Sequence, residues 1–168
     1  MNIVIANRQR VRKINLRLMK KITRELLANL ELEKAEIGIC LVAVPEMTWL
    51  NETFLKHKGS TDVLAFDYGF GVPPSGGSKQ GGMSAHNNRL KPGQQTLNGE
   101  IFICMDEAVL QARKFSTSWQ SEVIRYLVHG VLHLLAFDDS SAGARRKMKR
   151  EENRRLREIT RRFPLSKL

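Results

Sequence analysis

Two histidines four residues apart, His129 and His133, are followed by two aspartates, Asp138 and Asp139, in the segment VHGVLHLLAFDDSS. Residues at this spacing project from one face of a helix, so two neutral imidazoles can close on a single zinc ion with Zn–N bonds of about 2.0–2.1 Å. A third ligand must come from beyond the helix, and Asp138 or Asp139 can supply it. The competing reading is a pair of core histidines, each satisfied by a hydrogen bond. A metallopeptidase carries Glu directly after the first histidine as its general base. Here that position is Gly130, so the peptidase reading lacks its proton acceptor. Gly130 suits either close approach of a substrate or backbone to the metal, or tight helix packing.

These side chains need a rigid frame, and the hydrophobic pattern predicts one. Asn2 to Ala6 reads as a strand, and Ile14, Leu18, Ile22, Leu26 and Leu30 recur as the apolar stripe of a helix with Lys and Arg opposite. Glu36 to Val44 is a second strand, ended by Pro45, which suits the start of a helix carrying Met47, Leu50, Phe54 and Leu55. Thr61 to Phe66 and Gly99 to Met105 are two further strands. Asp106 is placed to cap a helix through Ala108, Val109 and Ala112. Ser118 or Ser121 opens the next helix, which is apolar on nearly every side and carries both histidines near its end. Gly143 to Arg162 forms a last, basic helix before Pro164. Strands alternating with helices and then a run of helices predict an α+β fold: one small, mixed, four-stranded sheet with about five helices on its faces.

At 168 residues the chain fits one domain, spanning 1–168. Residues 70–95 contain the breakers Pro73, Pro74, Gly76, Gly77, Gly81, Gly82, Pro92 and Gly93, and are expected to form a flexible insertion, either a flap or an inert loop. No segment reaches the roughly 20 apolar residues of a bilayer span, so no membrane partner is expected. The order of the first residues, β-branched and then basic, reverses that of a signal peptide. Cys40 and Cys104 lie in apolar strand-like runs, which reads as free buried thiols in a reducing compartment, the cytoplasm.

The net charge of +11 points to a polyanionic partner. Arg8 to Arg24 contains eight basic residues and no acid, and Arg145 to Arg162 ten basic residues against Glu151, Glu152 and Glu158. Each run is either a solvated helix face or a binding surface.

The segment HGVLHLLAFDD resembles the signature of the YbeY family, commonly HGxLHLxGYDH, which supplies three histidines to one metal. His129, Gly130, Leu132, His133, Leu134 and Asp138 match; Ala136 and Phe137 are conservative changes, and the third histidine is Asp139. Thr61 to Phe66 (TDVLAF) is similar to the family's TDVLSF, Leu97 to Ile101 (LNGEI) to its LGDI strand, and Leu50 and Asn51 to the LN before it. The resemblance implies a metal-dependent endoribonuclease that cuts single-stranded RNA in rRNA 3′-end maturation and ribosome quality control. It implies one divalent ion, zinc by preference, on His129, His133 and Asp139, and rRNA or ribosomal proteins as partners.

Asp139 remains a credible ligand, since carboxylates bind zinc at about 2.0–2.2 Å, but it leaves the ion less positive than a third imidazole would. It also widens the choice of metal toward manganese or iron. Asp138 reads either as a group orienting a ligand from behind or as the cap of the turn after the helix. Thr61 and Asp62 match a family segment near the site, or serve a turn or strand end. Where the family has a basic YRxKD-like segment, this chain has FLKHK, with Leu55 at the arginine position. Lys56 or Lys58 can replace the charge at an RNA contact but not the bidentate grip. His57 and His86 are expected to be exposed rather than ligands. Two rival readings remain: a non-catalytic rRNA- or ribosome-binding factor with a degenerate metal site, and a metal hydrolase acting on a small substrate.

Overall fold

The computed structural model describes residues 1–32, 34–69 and 96–168. The expected insertion at 70–95, and His86 with it, lies outside the described residues. Four strands, β1 (Asn2–Asn7), β2 (Lys34–Val42), β3 (Val63–Asp67) and β4 (Thr96–Cys104), form one sheet in the order β1-β2-β4-β3. The pairs β1–β2 and β2–β4 are parallel, and β3 joins the edge antiparallel to β4. This is the mixed, four-stranded α+β arrangement that the pattern predicted.

β2 and β4 are central and bury both faces, which explains why they read as continuous apolar runs rather than alternating ones. Successive side chains point to opposite sides. Ile37, Ile39, Leu41, Ile101 and Ile103 enter the main core, whereas Cys40, Val42, Phe102 and Cys104 enter a smaller one with Met47, Leu50 and Leu64. Both cysteines are buried free thiols.

Helix α1 (Leu16–Asn29) is opened by Asn15, whose side-chain oxygen accepts from the Leu18 N–H at 3.0 Å. Ile14 therefore precedes the helix, and the fully buried line is Met19, Ile22, Leu26 and Leu27. A strict four-residue step drifts around a 3.6-residue helix, so the buried face departs from the predicted stripe.

α2 (Val44–Leu50) buries Met47 and Leu50 and then opens into a π-helical turn, Asn51–Leu55. Phe54 and Leu55 are consequently exposed instead of extending the stripe. Asn51 is buried and donates to the Gly59 carbonyl at 2.8 Å, while Glu52 accepts from the Gly59 N–H at 3.1 Å. These bonds fix the approach to β3 and hence to Asp62.

α3 (Met105–Phe115) has Cys104 as its cap residue, with no side-chain capping bond. Asp106 caps a different helix from the one expected: its carboxylate accepts from the Val44 N–H at 2.9 Å, satisfying an orphan donor at the start of α2.

α4 (Trp119–Leu134) is capped by Ser118, which accepts from Ser121 N–H at 3.1 Å. It packs on β3 and β4 between α3 and α5 (Ala142–Arg162). Its close seat depends on Gly130, where an added Cβ would stand 2.7 Å from Ile101 Cγ2. Of the two roles weighed for Gly130, the structure supports helix packing. Gly99 plays the matching part on the strand, with the Phe66 carbonyl 2.5 Å from where its Cβ would be.

Candidate metal centre

α4 presents His129 and His133 to solvent at the edge of its buried face, with side chains 26% and 30% exposed. Their Nε2 atoms are 3.0 Å apart and the rings meet edge to face. Beyond His133 the helix ends in a Schellman turn, in which Phe137 N–H donates to the Leu132 carbonyl and Ala136 N–H to that of His133. The turn forces Ala136 to φ +60°, the left-handed region that favours glycine. The exchange of the family's glycine for alanine is therefore conservative in size but not in backbone.

The turn brings Asp139 back over the histidines, its Oδ2 lying 3.8 Å from His133 Nε2. One ligand atom from each of His129, His133 and Asp139 lies within 4.8 Å of the others. Ligands on tetrahedral zinc stand roughly 3.3 Å apart, so these donors need only small rotations to close on an ion. Asp138 is not brought to the cluster: its carboxylate accepts from the Ser140 N–H and hydroxyl, at 2.9 and 2.6 Å. Those bonds hold its carboxyl below the usual range.

Glu152 is a further residue of the site, one that no motif in the sequence marks. Although it sits in the most basic helix of the chain, it is buried, and its Oε2 lies 3.1 Å from His129 Nδ1. Arg125 reaches its other oxygen at 2.5 Å and Lys149 at 3.0 Å. Burial would push this carboxyl up, but the hydrogen bonds from His129, Arg125 and Lys149 outweigh it and hold the group down to about 2. Donation of the Nδ1–H of His129 to this carboxylate leaves the Nε2 lone pair facing His133, the tautomer a metal requires. Burial, reinforced by neighbouring His129, lowers the pKa of His133 and keeps it neutral, also as a ligand requires. The donor set thus fits a divalent ion. A signal for Glu152 existed: with Met148, Leu156 and Ile159 it forms the inward stripe of α5.

Beside the cluster lies a cavity of about 460 Å³, bounded by Asp62 before β3, Tyr126 and His129 on α4, and Arg145, Arg146 and Lys149 on α5. Asp62 accepts from the Val63 N–H at 2.9 Å, serving the strand end while facing the cavity. Lys56 is exposed, adopts φ +59° after the π turn, and is not among the residues lining the cavity. His57 is exposed, as expected. No helix among the described residues is long and apolar enough to cross a membrane.

The architecture is similar to the solution structure of TM1509 from Thermotoga maritima, with a TM-score of 0.58 at 20% identity over 94% of this chain and 88% of that one. Among proteins named Endoribonuclease YbeY, that of Salinibacter ruber is 33% identical over 66% of this chain and 61% of its own length. That of Aquifex aeolicus is 31% identical over 94% of this chain and 86% of its own. The chain spans less than two thirds of the length of the Salinibacter protein, and 36% of that of the Myxococcus xanthus relative. The family model described as Endoribonuclease YbeY matches residues 4–160, which include β2, β3, β4, most of β1 and all three clustered donors, and the chain belongs to that family.

Proposed function

We propose that the protein is a metal-dependent endoribonuclease that cuts single-stranded RNA, acting in rRNA 3′-end maturation and ribosome quality control in the cytoplasm. The observation that carries this reading is the convergence of His129, His133 and Asp139 beside a cavity lined in part by the basic helix α5. One divalent ion, zinc in this proposal, would be held by those three residues and would supply Lewis-acid polarisation of a phosphoryl oxygen and a more acidic water.

The chain's own residues do the rest. Glu152 fixes the tautomer and orientation of His129. The Ser140-held turn at Asp138 sets the direction of Asp139. Arg and Lys side chains of α5 hold the RNA backbone, with rRNA and ribosomal proteins as the expected partners.

A second reading, an rRNA-binding factor without cleavage, is favoured by Leu55 at the family's arginine position and by the place of Lys56 outside the cavity lining. The test follows bound metal and cleavage of single-stranded RNA together in wild type, His133→Ala and Asp139→Ala. Loss of both metal and cleavage in both variants supports the enzyme. Wild-type protein that binds RNA but neither holds metal nor cuts supports the binding factor.

A further inference from the structure

Helix α1 carries a row of cations that no described residue neutralises. Arg17, Lys20, Lys21 and Arg24 are spaced three, one and three residues apart, which sets all four on one face over about 10 Å of helix. All four are exposed, and none forms an ion pair or side-chain hydrogen bond among the described residues. The acid of this helix, Glu25, is engaged by Arg162 of α5.

Folding does not account for the row. Like charges three and four residues apart repel, and the row contains Arg17–Lys20, Arg17–Lys21, Lys20–Arg24 and Lys21–Arg24. The first turn holds Arg17 and no acid, against the preference of a helix N-terminus for negative charge. On α5 the same residue types are relieved, since Arg154 and Arg155 each meet Glu151 and Glu158. A stripe that weakens its own helix is explained by an anionic partner outside the chain.

The row is separate from the metal centre. None of its residues lines the cavity. α1 meets α5 where Arg155 donates to the Asn29 carbonyl at 2.9 Å and Arg162 reaches Glu25, about 15–25 Å along α5 from Arg145 at the cavity. The apolar face of α1 is buried in the core, leaving nothing to enter a bilayer. α1 contains no aromatic residue on which an unpaired base can stack. A rigid line of cations without a stacking surface suits the backbone of a double helix, which is recognised through its shape and phosphates.

We propose that Arg17, Lys20, Lys21 and Arg24 form a docking surface for a double-helical segment of the RNA whose unpaired strand enters the metal centre. The inference rests on the ribonuclease reading for its RNA, and it narrows the substrate class to a paired stem with a single-stranded extension.

The test compares a hairpin carrying a single-stranded tail with the tail alone. Both are titrated into zinc-loaded wild type, Lys20→Gln/Arg24→Gln and the charge-matched Arg113→Gln/Lys114→Gln, whose two positions are exposed on α3. Wild type should hold the tailed hairpin more tightly than the tail, with a steeper salt dependence. Lys20→Gln/Arg24→Gln should weaken hairpin binding roughly 10–30-fold near 0.15 M salt and lower its salt slope by about 1.8, about 0.9 for each of two duplex phosphates. Its tail binding, bound zinc and cleavage of the tail should stay at wild-type values. Its unfolding midpoint should equal or exceed that of wild type, because repelling pairs are removed. The α3 variant should keep the preference for the hairpin.

Equal losses in the two double variants, an equal loss on the tail alone, or a lowered unfolding midpoint overturn the docking surface even if the wild type cuts RNA. So does binding to phosphatidylserine vesicles that depends on Lys20 and Arg24 while hairpin binding does not. A hairpin preference that depends on these residues in a wild type that cuts neither RNA supports the docking surface and overturns the ribonuclease reading instead. A wild type that binds neither RNA overturns both.

Discussion

Glu152 on α5 holds His129 on α4 through a 3.1 Å hydrogen bond to Nδ1, so a helix with no metal ligand of its own sets the orientation of one. Glu152→Gln keeps the shape but removes the charge, and its amide can turn a donor toward Nδ1. Metal affinity, measured by competition with a chromophoric chelator, should fall about 10–100-fold. Unchanged affinity would show that His129 is oriented by α4 alone.

Ala136 is the second test. Its left-handed conformation at the end of α4 costs an L-residue about 1–2 kcal/mol, which glycine avoids. Ala136→Gly should therefore stabilise the protein by about 1 kcal/mol in urea denaturation, with part of the gain offset by the freer unfolded chain. Destabilisation would mean that the turn is not left-handed in solution.

Gly130→Ala separates packing from substrate access. With Ile101 Cγ2 2.7 Å from the new Cβ, α4 must shift away from β4, at a cost of about 1–3 kcal/mol. A lower unfolding midpoint is expected. Native stability combined with loss of RNA binding would show that the glycine instead leaves room for substrate.

Both tyrosines of the chain should resist ionisation. Burial raises Tyr126, and burial together with the bond to Glu100 pushes Tyr68 up to about 12. Because the folded phenols hold their protons more tightly than the unfolded ones, their contribution is present below about pH 10 and is lost as pH rises toward 12. Tyrosinate absorbance in native protein should lag behind that in urea, and Tyr126→Phe should leave a single transition. A transition near pH 10 in that variant would remove the Tyr68–Glu100 bond from the solution structure.

The sheet and the two histidines were legible because they follow short-range rules. Strand length, β-branching and the four-residue spacing each leave a local mark in the sequence. Glu152 left a fainter mark, its helical step from Met148 to Leu156 and Ile159, within a run of charges on α5 where a solvated surface and a functional one look alike. Which face of that helix turns inward depends on tertiary packing through Met148, Leu156 and Ile159. Asp106 shows the same limit on a smaller scale: its capping chemistry was readable, but the helix it caps begins 62 residues earlier. The choice between Asp138 and Asp139 required the geometry of the turn, where Ser140 engages one carboxylate and the other is free to face His133.

The Glu152 bridge makes metal occupancy and the seating of α5 two views of one equilibrium. Whatever factor a bound ion adds to the affinity of α5 for an RNA strand, the strand must add the same factor to the affinity of the three ligands for the ion. Scarce metal would then collect on protein molecules already carrying substrate, and the free enzyme would be the form that surrenders its ion first.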